Sequence, residues 1–385
     1  MKTDRPIIIL EKSLRTELWQ LLFRVGRERD WQLLDLRFSG NDIPKNLRPV
    51  GAFVNRLPDD PFVKRLQAAG CQVVRLGTAA HPKDPLVPVV LNDMALTGAI
   101  AAEHFAERCF RHMAFIGHRP WGMYQELYRG FRERAIKLGC ECHEIEWKNL
   151  TPSGHTRNVE TLYRRRLKLL NDKLSALPKP LGLLGSSDNR ACLFSRMCQD
   201  AEFGVPGEVG ILGIGNDETV CETVSPSMSS IALDYRTIAN KAVATLDQLM
   251  SGKTPDQTTI LVPPRGVVMR QSTYVFAAET PGVVKATRFM LDHYAEPISS
   301  KEIIRASGMS RARLFAAFAE DLGQPPGSIL TRIRIDKAKD MLRCSREKVL
   351  TIAEACGFGA SINMYHHFRK HEGSSPAAYR RKHTE

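Results

Sequence analysis

LTIAEACGFGASINMYHHFRKHEG (350–373) decides how this chain is read. Its pattern is a short helix, a tight turn and a second helix. Thr351 stands where a side-chain oxygen caps the first helix, Gly357 breaks it, and Ser361 caps the second. Met364 and Phe368 lie i and i+4, so they share one apolar face. The same form occurs upstream in SSKEIIRASGMSRARLFAAFAEDLG (299–323). There Ser299 or Ser300 caps, Gly308 turns, Ser310 caps again, and Leu314 and Phe318 form the core face. RIRIDKAKDMLR (332–343), between the two, reads as one long helix. A short helix packed across a second one presents that second helix's polar N-terminal side chains to a DNA major groove. Periodicity alone equally allows two plain helical hairpins.

Outward from this pair, VVKATRFMLDHYA (283–295) places Val284, Phe289, Leu291 and Tyr294 at near-helical spacing, so an all-helical module starts there. The preceding residues follow a different rule. PIIIL (6–10), GAFVN (51–55), QVVRLG (72–77), VPVVLND (87–93), HMAFIGH (112–118), PLGLLGSSD (180–188) and VGILGIGND (209–217) are strand-like. Helical stretches at 13–28, 58–70, 95–108, 124–139, 189–203 and 236–250 alternate with them. Short apolar strands alternating with helices imply an α/β domain of parallel sheets. TTILVPPRGVVMRQSTYVFAAETPG (258–282) reads as a final strand pair and a linker. The expected domains are therefore 1–272, a linker at 273–282, and a helical module at 283–385.

The 385 residues carry a formal net charge of +13, of which +7 falls on the last 105. A basic excess on the segment with the groove-reading pattern favours double-stranded DNA as partner. With 43% hydrophobic and 25% charged residues, a mostly disordered or collagen-like chain is excluded. No apolar run approaches the roughly 18 residues of a membrane span, and PIIIL is too short for an export signal. A cytoplasmic, nucleoid-associated protein with no membrane partner is expected. The nine scattered cysteines fit reduced, often buried thiols. CECH (140–143) is their only cluster. It lacks a second ligand pair at zinc-site spacing, so no metal is assigned. GxxxxGK[ST], GxSxG and HExxH are absent, and GILGIGND (210–217) does not have GxGxxG spacing. Neither enzymatic activity nor a cofactor is expected. An exported solute-binding protein would need a leader and no helical module.

The finer match is to a family. TIAEACGF, the ten-residue step from Phe358 to Phe368, and RKHEGSSPAAYR resemble the signature of AraC-type transcriptional regulators. The resemblance covers about 100 residues through Ile352, Ala353, Gly357, Phe358, Phe368, Arg369, Lys370, Gly373, Pro376, Tyr379 and Arg380. It implies that Ser361, Ile362, Asn363 and His366 face base edges and that Arg369 and Lys370 meet phosphates. The first reader departs from the family, with Ala312, Phe315 and Ala316 where polar residues are usual. Arg311 and Arg313 supply its strong polar contacts. Either it anchors on phosphate, or Phe315 packs on thymine methyls or wedges at a base step.

Residues from about 6 to 270 resemble the effector-binding core of LacI-type repressors, a two-lobed fold like that of periplasmic sugar-binding proteins. VVLNDMALTGAIAAEHFAERCFRHMAFIG (89–117), LLGSSDNRACLFSRMCQDAEFGVPGEVGILGIGNDE (183–218) and SPSMSSIALDYRTIANKAVATLDQLMSG (225–252) carry that likeness. Joined to an AraC-type reader, this is the layout of the xylose-operon regulator group, whose bridge ILVPPRGVVMRQST (260–273) also resembles. The resemblance implies a ligand-responsive regulator of a carbohydrate operon that binds operator DNA as a homodimer. It also implies a small polar effector such as a sugar, and RNA polymerase as a partner if the protein activates. Helix 95–108 is a candidate dimer face, or equally an intramolecular one. The implied effector contacts are Asp93, Asp188 and Asn216, set in a cleft between lobes. Asp93 and Asp188 are alternatively helix caps. Gly215 stands where the family has an Asp, and Leu127 where it has an Arg, with Arg129 two places on. A pentose held in the family's manner would lose hydrogen bonds worth about 1 kcal/mol each. Either another small polar molecule binds or small-molecule binding is lost.

Overall fold

Apolar four- to seven-residue runs separated by amphipathic helices can bury both faces only by pairing side by side with helices above and below. The computed structural model describes residues 7–10, 16–36, 48–56, 59–77, 87–117, 122–146 and 159–384. In chain order it gives β1 (Ile7–Leu10), α1 (Thr16–Glu28), β2 (Gln32–Asp35), β3 (Gly51–Val54), α2 (Pro61–Ala68), β4 (Gln72–Gly77) and β5 (Val89–Asn92). Next come α3 (Met94–Glu107), β6 (His112–Gly117), α4 (Gly122–Lys137), β7 (Glu141–Glu146), α5 (Val159–Ser175), β8 (Leu181–Gly185) and α6 (Asp188–Asp200). Then β9 (Val209–Gly215), α7 (Glu218–Glu222), β10 (Ser229–Ala232), α8 (Tyr235–Met250), β11 (Thr259–Val262) and β12 (Gly266–Val268) complete the α/β part. The helical part is α9 (Pro281–His293), α10 (Ser300–Ser307), α11 (Arg311–Leu322), α12 (Pro326–Cys344), α13 (Val349–Ala355), α14 (Ser361–Glu372) and α15 (Pro376–Thr384).

The chain divides into two compact units. The first comprises residues 1–100, 118–132 and 232–266. Its sheet runs β11-β5-β4-β3-β1-β2, and β1, β3, β4, β5 and β11 pair in parallel. Ile8, Phe53, Val74 and Leu246 lie in a core that packs α1 and α8 on one face. The second unit comprises residues 101–117, 133–231 and 267–385. Its sheet runs β12-β10-β9-β8-β6-β7, with β6 parallel to both β7 and β8, and β8 to β9. All seven C-terminal helices belong to it. No helix among the described residues is long and apolar enough to cross a membrane.

Several sequence expectations need correction. The strands at 258–282 are no pair: β11 joins the first sheet and β12 the second. Beyond the elements expected from apolar periodicity, the fold also has β2, β7, α5, α7 and β10. On α9 the buried apolar side chains are Val283, Ala286, Met290 and Leu291, so Leu291 is buried as expected, whereas Val284 is exposed and Phe289 and Tyr294 are half-buried. Residues 13–15 of the first helical stretch, Pro6, Pro58 and His118 lie outside the described residues. The eight cysteines with described side chains are free thiols, and burial pushes Cys71, Cys198 and Cys356 up to about 12.

Candidate functional site

The helical module is built around α12. Ile329, Leu330 and Ile333 at its N-terminal end join Leu314, Ala317, Phe318 and Met290 in one core. Ile335, Ala338 and Leu342 join Ile352, Met364, Phe368 and Tyr379 in another. Each helix pair therefore has its own core on a shared axle. Truncating a core aromatic such as Phe318 or Phe368 to Ala costs about 3–5 kcal/mol.

Local chemistry sets the first reader. Ser299 and Glu302 form a reciprocal capping box on α10, Gly308 ends it in left-handed backbone at φ +68°, and Ser310 Oγ accepts from the Arg313 amide to start α11. The second reader departs from the expected caps. Thr351 lies inside α13, whose cap residue is Lys348. Ser361 is the first residue of α14, behind Ala360. Neither cap residue offers a side-chain bond, so packing rather than capping holds this pair. Gly357 adopts φ +76°, and a Cβ there would overlap the Tyr294 carbonyl oxygen.

On α14, Met364 and Phe368 are fully buried while Ile362 is 73% exposed. Asn363, His366, Arg369 and Lys370 are also exposed, and Ser361 is half-buried. Asn363 Nδ2 donates to the Phe358 carbonyl at 3.3 Å, which orients its amide from below. On α11, Arg311 and Arg313 are exposed, and the Arg311 guanidinium lies over the half-buried Phe315 ring at 5.4 Å.

The module is joined to the second sheet by a polar seam. The Arg108 guanidinium, just after α3, donates to Asp336 Oδ2 on α12 at 2.9 Å and also meets Met269 Sδ. Arg108 is 4% and Asp336 13% exposed. The Arg108 carbonyl accepts from the Ala277 amide at 2.8 Å, and Arg111 donates to the Glu320 carbonyl at 3.1 Å. Lys337 Nζ stands 4.2 Å from the Tyr274 ring. Burial raises the pKa of Glu107, against the pull of Lys339. Burial draws Lys339 down, but Asp336 and Glu372 outweigh it and hold this ammonium above its ordinary value. Phe276 and Ala278, within the stretch read as a linker, are buried in the core of the first reader.

From this seam a chain of hydrogen bonds runs to the carboxyl end of β9. His104 on α3 lies 2.9 Å from Thr273 Oγ1, and Thr273 donates to Ser229 Oγ at 2.7 Å. Burial, with Arg108 behind it, holds the His104 pKa well below its ordinary value, so the ring is neutral. Since the Thr273 hydroxyl donates onward, His104 Nε2 carries the proton. Ser229 Oγ donates to the Arg270 carbonyl at 3.0 Å and accepts from its amide at 2.8 Å. Arg270 in turn donates from Nη1 to Asn216 Oδ1 at 2.9 Å.

Of the three expected effector residues, Asp188 and Asn216 meet in this unit. Asp188 is buried, accepting from Ser230 Oγ at 2.5 Å and from the Asp217 amide at 2.9 Å. Asn216 adopts φ +55° and donates its amide to Ser230 Oγ at 3.0 Å. In the first unit, Asp93 follows β5 and caps α3 by accepting from the Leu96 amide at 2.9 Å. Leu127 is buried, and Arg129 bonds Glu126 at 2.6 Å. Sequence reasoning missed Arg270 and also Arg75 on β4. Arg75 is fully buried, with Nε donating to the Arg56 carbonyl at 2.6 Å and both terminal nitrogens unpartnered among the described groups. RQST at 270–273, in the bridge that resembles the family, is the sequence signal for Arg270. Of the apolar residues of α3, Met94, Ala101, Ala102 and Phe105 are buried within the chain, Ala95, Ala99, Ile100 and Ala106 are half-buried, and Leu96 is exposed.

Residues 102–273 match a periplasmic binding protein-like domain, and residues 303–382 match a helix-turn-helix domain. The chain is 27% identical over 332 residues to the xylose operon regulatory protein of Escherichia coli K12, covering 84% of this chain and 81% of that protein. Against the protein of the same name from Haemophilus influenzae, identity is 24% over 330 residues, covering 84% and 83%. A solved structure of the xylose-binding transcription activator xylR superposes with a TM-score of 0.61 at 21% identity over the whole of both chains. That likeness shows the fold.

Proposed function

We propose that this homologue of the xylose operon regulatory proteins, a DNA-binding transcription regulator with a periplasmic-binding-protein-like domain and an AraC-type reader, couples a small polar effector to operator affinity through the seam at Arg108. The observations that carry the reading are the hydrogen-bonded path from Asn216 through Arg270, Ser229 and Thr273 to His104 on α3, and, one helical turn further along the chain, the bond from Arg108 to Asp336 on α12. An effector that changes what Arg270 and Asn216 bond to shifts the seat of Thr273 and hence of α3, which bears on the axle of both readers. A ligand shifts such an equilibrium only by its differential affinity for the two arrangements.

On DNA, Asn363 pairs with an adenine edge, Ile362 meets a thymine methyl, and Ser361 and His366 line the same groove face. Arg369 and Lys370 hold phosphates. Arg311 and Arg313 anchor the first reader while Phe315, held by Arg311, packs on the duplex. The relatives' name suggests a sugar as effector. With Gly215 in place of a carboxylate, the proposed ligand is a polar molecule richer in acceptors than a pentose. Asn216 and Arg270 in the second unit are its contacts, and Asp93, the other expected contact, stands at the start of α3 in the first unit. Asp188 contributes by fixing Ser230 and the turn at Asp217. The protein pairs as a homodimer, in keeping with paired half-sites.

A mobility-shift titration with operator and random duplexes, with and without a panel of sugars and sugar acids, tests this. Operator preference that changes with one ligand, and less so in Arg270→Ala, is expected. Equal affinity for both duplexes under all conditions contradicts the reading.

A further inference from the structure

β7 is the edge strand of the second sheet, and its sequence ECHEIE puts Glu141 and His143, i and i+2, on one face. The parallel register sets Glu141 beside His112 of β6, and His143 beside Ala114, whose small side chain leaves the ring room to lean across. Cys142, between them, projects to the opposite face. His112 Nδ1 thus lies 3.2 Å from Glu141 Oε2, and His143 Nε2 lies 3.7 Å from the same oxygen. All three ligating atoms fall within 4.8 Å of one another. His143 Nε2 is shielded from solvent and has no hydrogen-bond partner.

We propose that His112, Glu141 and His143 form a binding site for a divalent transition metal of the zinc class. Two imidazoles and a carboxylate are a ligand set suited to zinc, cobalt or nickel. Zn–N and Zn–O bonds near 2.0–2.1 Å in a tetrahedron put ligand atoms about 3.3 Å apart. The separations of 3.2 and 3.7 Å need only small side-chain rotations to meet that spacing. Two hydrogen-bonded strands make a stiff platform, so little ordering is left for the metal to impose. Three protein ligands leave a fourth position for water or an added ligand. The site lies at the amino ends of β6 and β7, whereas Asn216 and Asp188 follow the carboxyl ends of β9 and β8. It is therefore separate from the effector residues. His112 also lines a small polar cleft with Arg111, Glu279, Glu320 and Asp321, so the metal sits beside the seam to the reader.

The test uses the full chain after chelator treatment, titrated with Co(II) by absorbance and with Zn(II) by calorimetry. One equivalent should bind, with a visible cobalt spectrum and no thiolate charge-transfer band. His143→Ala and Glu141→Gln should each weaken zinc by more than the roughly 10- to 100-fold that outer-shell changes cost. Glu141 is exposed, so its variant keeps the fold, and an unchanged urea midpoint checks this. Absence of binding, a thiolate band, or unchanged affinity in both variants overturns the proposal.

Discussion

Replacing Arg108 by Met keeps most of the side chain's length and removes its charge. The buried pair it makes with Asp336 has an N–O distance of 2.9 Å. At an effective dielectric of about 20, that separation gives an attraction of about 6 kcal/mol before desolvation is counted. Removing one partner of such a pair leaves the other buried and uncompensated, typically a loss of about 3–5 kcal/mol. Lys339, whose ammonium is raised by Asp336 among others, stays to compensate that carboxylate. The expected loss for Arg108→Met is therefore at the low end, about 3 kcal/mol. Removing both charges is far milder, because two apolar side chains of similar volume replace a pair that was costly to desolvate. Urea unfolding of wild type, Arg108→Met, Asp336→Leu and the double variant reads this as a cycle. The double variant should be more stable than the sum of the singles implies by at least about 1–2 kcal/mol. The singles should also diminish any effector-dependent change in operator affinity. Additivity within about 0.5 kcal/mol, or a loss below about 1 kcal/mol for Arg108→Met, would refute the seam as a coupled element.

Asn363→Ala should weaken operator binding by about 1–3 kcal/mol and leave random DNA untouched, whereas Arg369→Ala should weaken both alike. Competition shifts with the two duplexes measure the difference. Gly357→Ala should destabilise by well over 1 kcal/mol, because a Cβ combines left-handed strain with an overlap on Tyr294, while Gly373→Ala, with open space around it, should cost only about 1 kcal/mol. Thermal unfolding of both variants separates strain from collision. His104 has a folded pKa depressed below its ordinary 6.5, so the unfolded chain binds more protons. Its contribution is complete above 6.5 and is lost as pH falls below that value. Stability at pH 5 should therefore drop less in His104→Gln than in wild type, and identical pH profiles would contradict a buried neutral ring.

Local chemistry made the reader legible. The positions of Gly308, Gly357 and Gly373, the i/i+4 pairs Leu314–Phe318 and Met364–Phe368, and the capping Ser310 are properties of neighbours along the chain. Sequence also sufficed for the alternation that makes parallel sheets, since runs such as GAFV and LGLLG suit only strands covered on both faces. Short-range rules failed where tertiary packing supplied the deciding energy. Val284 and Val283 are both apolar, and only the reader core selects the second. ECHEIE carries too little apolar signal to be read as a strand until β6 offers it a ladder. Asp188, Arg270 and His104 are separated by up to 166 residues in sequence, and a hydrogen-bonded path among them exists only after β9, β10 and α3 have packed. Hydrophobic period and turn chemistry act between residues a few positions apart, so one chain displays them. Hydrogen-bond partners, pKa shifts and buried ion pairs depend on distances of 3–4 Å and on exclusion of water, which only the folded arrangement creates.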